Sequence, residues 1–224
     1  MPDNRGHLLP VYVLADESYS MKPYASELNS GMLSLYEALR SEPMVAAKVR
    51  LSILGFSDKV IVRMAMADMR SAEDLPCLQI RGRTDYHAAF SDLLKRIPQD
   101  ISVLKGNGYQ VHRPAVFFLS DGQPDNTRWQ RTHGKLTDRA QNGSAPNVIA
   151  CGIGEVEAET IVKVATQPDF AFVSMPETNI GAAIAKFFIA LTASVVQSGR
   201  SLASPNPELV VEKPEGFRMA IDVI

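Results

Sequence analysis

Asp16, Ser18 and Ser20 stand two residues apart, directly after the apolar run LLPVYVLA. Alternate side chains of an extended segment point the same way, so this spacing can aim one carboxylate and two hydroxyls at one place. Two further segments offer similar chemistry. RGRTDYH sets Thr84 just ahead of a helical pattern, and PAVFFLSDG ends an apolar run on Asp121 and Gly122. Together they supply two aspartates and three hydroxyls, with no His or Cys among them. Such an all-oxygen set suits a hard divalent cation such as Mg²⁺, which favours near-octahedral oxygen ligation at about 2.0–2.1 Å. Two carboxylates balance the charge, hydroxyls fill further positions, and an incomplete cage leaves one for water or an incoming carboxylate. Each residue also has a plainer reading. Ser20 can cap a helix near Pro23, Thr84 stands where an N-cap would stand, and Asp121-Gly122 can be an ordinary turn. Only their joint order and strand–helix context favour a cation site.

The elements that must position these residues alternate along the chain. Leu8 to Ala15 reads as a strand. After Pro23, apolar residues recur at Tyr24, Leu28, Met32, Leu35 and Leu39, the steps of one helical face. Val49 to Phe56 and Val60 to Met66 read as a hairpin about Ser57-Asp58-Lys59, and Pro76 to Ile80 as a short apolar crossing. A helix follows Thr84, with Phe90, Leu93, Leu94, Ile97 and Ile101 on its apolar face. Then come strand 114–120, a helix over about 126–141, strand 147–153, a small helix near 158–165, strand 170–174 and a long helix over 179–198. This βαββαβαβαβα order predicts an α/β, doubly wound, mostly parallel central sheet, with one antiparallel edge strand and helices on both faces. Ligands of such sheets bind beyond the carboxyl ends of the strands, where strand order reverses. The oxygen-bearing segments fall at such ends.

Asp-x-Ser-x-Ser after the first strand, Thr before the second large helix and Asp-Gly after a later core strand resemble the metal-ion-dependent adhesion site of von Willebrand factor type A domains. The likeness runs from residue 8 to about 198, with the motifs in the family's order. ADESYSM, GRTD and FLSDGQPDN resemble especially the bacterial TerY-type members associated with tellurium resistance. The resemblance implies a Rossmann-like fold and a metal site of Asp16, Ser18, Ser20, Thr84 and Asp121. Its usual ion is Mg²⁺, with Mn²⁺ or Ca²⁺ as alternatives. It implies a non-catalytic role, in which a partner protein offers Asp or Glu to the metal. For the TerY-type members it implies a cytoplasmic stress-response setting, with a kinase or phosphatase as possible partner. The family commonly has Gly between the two serines, where this chain has Tyr19, an aromatic ring placed to touch a partner. Glu17 reads first as a solvated loop carboxylate, with partner contact as its alternative.

The rest of the sequence sets bounds. With 224 residues, 46% hydrophobic and 21% charged, the chain suffices for one large domain or at most two small ones, and the resemblance assigns one domain to 1–199. A net charge of -2 without a long basic run argues against a nucleic-acid binder. Cys77 and Cys151 lack the spacing of a zinc site or disulfide framework, and Cys151 reads as a core thiol. MPDNRGH is too polar for a signal peptide. The apolar stretch 180–196 contains Lys186 and reads as a core helix too short and polar to span a membrane. Trp129 reads as half-buried, Asp125 and Asn126 as helix caps, and His87 and His133 as residues without a zinc partner. The tail, 200–224, ends in alternating Phe217, Met219, Ile221 and Val223, an added strand on this sheet or on a partner's. P-loop, GxGxxG and GxSxG motifs are absent. The rival reading is a Mg²⁺-dependent phosphotransferase of haloacid dehalogenase type with Asp16 as nucleophile. Position 18 is Ser where that chemistry wants an acidic proton donor.

Overall fold

The first strand, β1 (His7–Asp16), is buried after its first residue. Its side chains alternate between two cores. Leu9, Val11, Val13 and Ala15 join one, and Tyr12 and Leu14 join the other. A strand covered on both faces needs an unbroken apolar run, which is what the sequence shows. The computed structural model describes residues 6–72 and 77–223, so MPDNR and Pro76 lie outside the described residues.

Helices α1 (Ala25–Ser41), α2 (Pro43–Lys48) and α6 (Ile180–Ser201) cover the first core. Helices α3 (Tyr86–Gly106), α4 (Arg128–Thr137) and α5 (Ala158–Val164) cover the second. The remaining strands are β2 (Val49–Phe56), β3 (Val60–Asp68), β4 (Gln110–Val111), β5 (Ala115–Ser120), β6 (Asn147–Gly152), β7 (Ala171–Ser174) and β8 (Phe217–Met219). Their order is β3-β2-β1-β5-β6-β7-β8, with the short β4 pairing the start of β1. Pairing is parallel from β2 through β7 and antiparallel at β2–β3 and β7–β8. The expected antiparallel edge is therefore β3, and a second one closes the opposite side. Chain order reverses between β1 and β5, so their carboxyl ends form the switch point.

Several elements depart from expectation. Helix α4 stops at Thr137 because the Asp138 side chain accepts from the Ala140 backbone N–H at 2.9 Å, a local turn that competes with helix continuation. Trp129 is fully buried, not half-buried, within an aromatic cluster with Tyr86 and Phe90, each at a ring separation of 5.7 Å. The alternating C-terminal pattern carries a strand only to Met219. A 3-10 turn over Ala220–Val223 follows and leaves Ile221 and Val223 exposed. Ahead of β8 the tail runs along α6. Ser198 Oγ receives the Val210 N–H at 2.8 Å, Ser194 Oγ receives the Glu212 N–H at 2.9 Å, and Lys186 pairs with Glu215 at 2.6 Å. Helix α6 spans 22 residues, with an 18-residue window at a mean hydropathy of 1.7, long and apolar enough to cross a membrane by length and composition. That overturns the expectation from 180–196 on length. Phe187, Phe188, Leu191 and Val195 of this helix are spent on the first core.

Candidate metal centre

Parallel register brings the first two loops together. Ala15 pairs with Leu119, so Asp16 leaves β1 beside Ser120, the last residue of β5. The Ser120 hydroxyl donates to Asp16 Oδ2 at 2.6 Å, and the Ser18 backbone N–H donates to Oδ1 at 2.8 Å. Asp16 is wholly buried. Burial pushes its carboxyl up to about 6 against the opposing hydrogen bonds of Ser120 and Ser18, and Asp121 nearby adds to the rise. A buried carboxylate held only by neutral donors is a natural place for a cation.

Above this floor the hydroxyls climb toward solvent. Ser18 is nearly buried and Ser20 is exposed, with their oxygens 2.9 Å apart. The Ser20 hydroxyl donates to Asp121 Oδ1 at 2.7 Å, closing a contact across 101 positions of chain. Burial raises the Asp121 carboxyl as well, opposed by that hydrogen bond. Ser20 lies in a 3-10 turn, Tyr19–Tyr24, and caps no helix with its side chain.

Thr84 comes from the segment leading into α3. Its neighbour Asp85 takes the N-cap role, accepting from the N–H groups of His87 at 2.8 Å and Ala88 at 3.2 Å. Thr84 is thereby excused from capping. A Cβ added at Gly122 would fall 2.7 Å from Thr84 Oγ1, so the threonine packs directly on the backbone after Asp121. The Tyr86 hydroxyl donates to the Gly122 carbonyl at 2.9 Å and secures the same approach. Asp16, Ser18, Ser20, Thr84 and Asp121 thus converge on one patch at the β1/β5 switch point.

The donor chemistry fits a hard divalent cation. Among the described residues no three His, Cys, Asp or Glu side chains gather to hold a metal. A cation here would therefore rely on two aspartates for charge and on hydroxyls or water for its other positions. The glycine cradle at 122 and the buried, unneutralised Asp16 are consistent with that use.

Glu17 is corrected. It is neither solvated nor turned toward a partner, but wholly buried. Arg63 clamps its carboxylate through Nε at 2.7 Å and Nη2 at 2.9 Å, and Arg81 adds Nε at 3.1 Å. Tyr19, between the two serines, is 67% exposed. Asn126 serves the start of α4, accepting the Arg128 N–H at 3.0 Å, whereas Asp125 makes no side-chain cap there. His133 is buried and bonded to the Val164 carbonyl at 2.8 Å, and His87 sits 3.1 Å from the Thr132 hydroxyl. Cys151 is buried and free, its thiol pushed well up by burial. Sequence reasoning gave no role to Ser120, Tyr86, Arg63 or Arg81. Ser120 had one usable signal, a hydroxyl ending an otherwise apolar strand. The arginines had none, since their partner was assigned to solvent.

No family model matches the sequence, and no curated protein matches it. Solved structures do. Proximal thread matrix protein 1 from the mussel byssus, described with a zinc-occupied MIDAS motif, superimposes with a TM-score of 0.60 at 16% identity, over 86% of this chain and 49% of that one. A von Willebrand factor type A protein from Catenulispora acidiphila gives 0.58 at 15% identity, over 85% and 43%. The chain has the von Willebrand factor type A fold. The pilus adhesin SpaC of Lactobacillus rhamnosus GG shares this vWA fold with a TM-score of 0.64 at 13% identity, over 87% and 31%. The chain therefore spans less than half the length of each of these structures. At such identities the likeness carries the vWA architecture alone. The residues at the β1/β5 switch point have to speak for the site.

Proposed function

We propose that this chain is a non-catalytic, metal-dependent protein-interaction module. In this reading Asp16, Ser18, Ser20, Thr84 and Asp121 hold one divalent cation, Mg²⁺ in the first instance. A partner protein offers an Asp or Glu side chain to it. The observation that carries the reading is the Ser18–Ser20–Asp121 chain of contacts, at 2.9 and 2.7 Å, over the buried Asp16. It gathers hard oxygen donors from two loops above a buried carboxylate.

When bound, the cation supplies a positive charge that attracts and orients an incoming carboxylate. The protein does the rest. Asp16 and Asp121 place negative charge where it is partly shielded from water, which strengthens its hold on a cation. The serine hydroxyls and Thr84 give neutral oxygens, and exposed Tyr19 offers apolar area beside the opening. A charge-assisted contact ringed by an aromatic side chain is the composition of an interface hot spot. The zinc-occupied motif described for the mussel protein supports a divalent ion at this position of the vWA fold. Both Asp16 oxygens already accept hydrogen bonds, which favours a holding role over a nucleophilic one.

The test couples metal to partner. Immobilised wild type should retain a partner in Mg²⁺ or Mn²⁺ and release it on chelation, while Asp16→Ala and Asp121→Ala retain none. Equal retention by the two variants would remove the metal from the contact and overturn the reading.

A further inference from the structure

We infer that Glu17 is a positioning residue of the metal centre. Its carboxylate, clamped by Arg63 and Arg81, sets the distance between the Asp16–Ser20 loop and the segment that delivers Thr84. This rests on the metal-site reading above and explains how that site is held together.

The first loop and the 77–84 segment belong to parts of the chain with no regular secondary structure to join them. Glu17 joins them from both backbone and side chain. Its N–H donates to the Phe56 carbonyl at 2.8 Å, fixing the loop to the end of β2. Its carbonyl accepts from the Arg81 N–H at 2.6 Å, and the Tyr19 N–H donates to the Gly82 carbonyl at 3.1 Å. Its carboxylate takes the two Arg63 bonds from β3, the Arg81 Nε bond and the Gln79 N–H at 2.9 Å. Arg81 reaches on to the Ser57 hydroxyl at 2.6 Å and to the carbonyls of Gly55 at 3.1 Å and Lys59 at 2.9 Å. One carboxylate thus ties the metal loop, the β2–β3 hairpin and the crossing segment into a single unit. Thr84 follows Arg81 by three residues, so the position of Arg81 limits where Thr84 can stand.

The backbone is cut to admit this strut. A Cβ added at Gly55 would fall 2.1 Å from Glu17 Cδ, so any larger residue would evict the carboxylate. The clamp also withdraws Glu17 from the site. Bound to two guanidiniums, it does not compete with the partner's carboxylate for the cation. Bidentate Arg–carboxylate geometry is directional as well as charged, which suits it to fixing a distance.

The experiment uses the whole chain and two readouts: Mn²⁺ affinity by calorimetric titration, and amide hydrogen exchange over residues 78–84. Glu17→Gln should weaken Mn²⁺ binding at least tenfold and speed exchange of the Gln79 and Arg81 amides. Arg63→Lys, which keeps the charge and gives up the bidentate fork, should weaken binding severalfold and covers the event that Glu17→Gln fails to fold. Val195→Ala in α6, remote in sequence and element from the strut, is the control for general destabilisation and should keep wild-type affinity. Wild-type Mn²⁺ affinity in both strut variants would overturn the inference and leave the metal site standing. Should wild type itself bind no Mn²⁺, the metal-site reading fails, and exchange alone judges the strut: unchanged protection at 78–84 in Glu17→Gln rejects it.

Discussion

At the scale of single residues, side-chain direction decided which loop residues belong to the site. Asp16 turns toward Ser120 of β5, and the next side chain, Glu17, goes the other way, toward β2 and β3. A carboxylate between two candidate ligands looked solvent-facing in the sequence because its arginine partners lie 46 and 64 positions away. Spacing within a loop can assign a direction, but cannot name what waits there. Asp16 carries the first prediction. A metal at a hundredfold excess over its dissociation constant stabilises the bound state by about 2.7 kcal/mol, on the order of 5–10 °C in a domain of this size. Thermal melts of wild type should show a shift of that order with Mn²⁺, and Asp16→Asn should show essentially none. A second prediction concerns Gly122→Ala. Its methyl would press on Thr84 Oγ1 from 2.7 Å, so the same melts should show at least half of the metal-induced shift lost.

At the scale of elements, strands were legible and short joins were not. The runs at 8–15, 114–120 and 147–153 emerge as β1, β5 and β6 because residues buried on both faces leave a continuous apolar signature. Helix α2 and strand β4, of six and two residues, are too short to show a period. The packing of α6 on α1 turns on a contact that periodicity does not report. A Cβ at Gly31 would fall 2.1 Å from Phe188 Cδ2, so the two helices approach through a glycine notch. Gly31→Ala should therefore cost about 1–2 kcal/mol in urea denaturation, because overpacking at this notch outweighs the roughly 1 kcal/mol gain in helix propensity.

At the scale of the whole molecule, a buried histidine makes stability depend on pH. His133 of α4 bonds the carbonyl of Val164 at the end of α5, and burial lowers its pKa from an ordinary value near 6.5 to about 4 despite that bond. The folded state thus binds a proton less readily than the unfolded chain. Its contribution is complete above about pH 6.5, shrinks as pH falls and is gone by about pH 4, a swing on the order of 3 kcal/mol. Asp16, raised to about 6, works in the opposite sense over this interval, so the His133 contribution is read by comparing urea unfolding at pH 7 and pH 4.5 between wild type and a variant. His133→Gln, which can still donate to Val164, should lose less stability across the same interval.

The sequence by itself determined the α/β layering, because the period of apolar residues records which faces are covered. It also determined the oxygen-only character of the candidate site, because residue type is chemistry and needs no coordinates. Only the tertiary structure decided what those residues face. Parallel register laid Asp16 beside Ser120, a glycine at 122 let Thr84 close on the Asp121 loop, and two distant arginines drew Glu17 inward. Each of these is a meeting of segments dozens of positions apart. Local spacing holds no information on such meetings, since they follow from how strands pair and which backbones can approach.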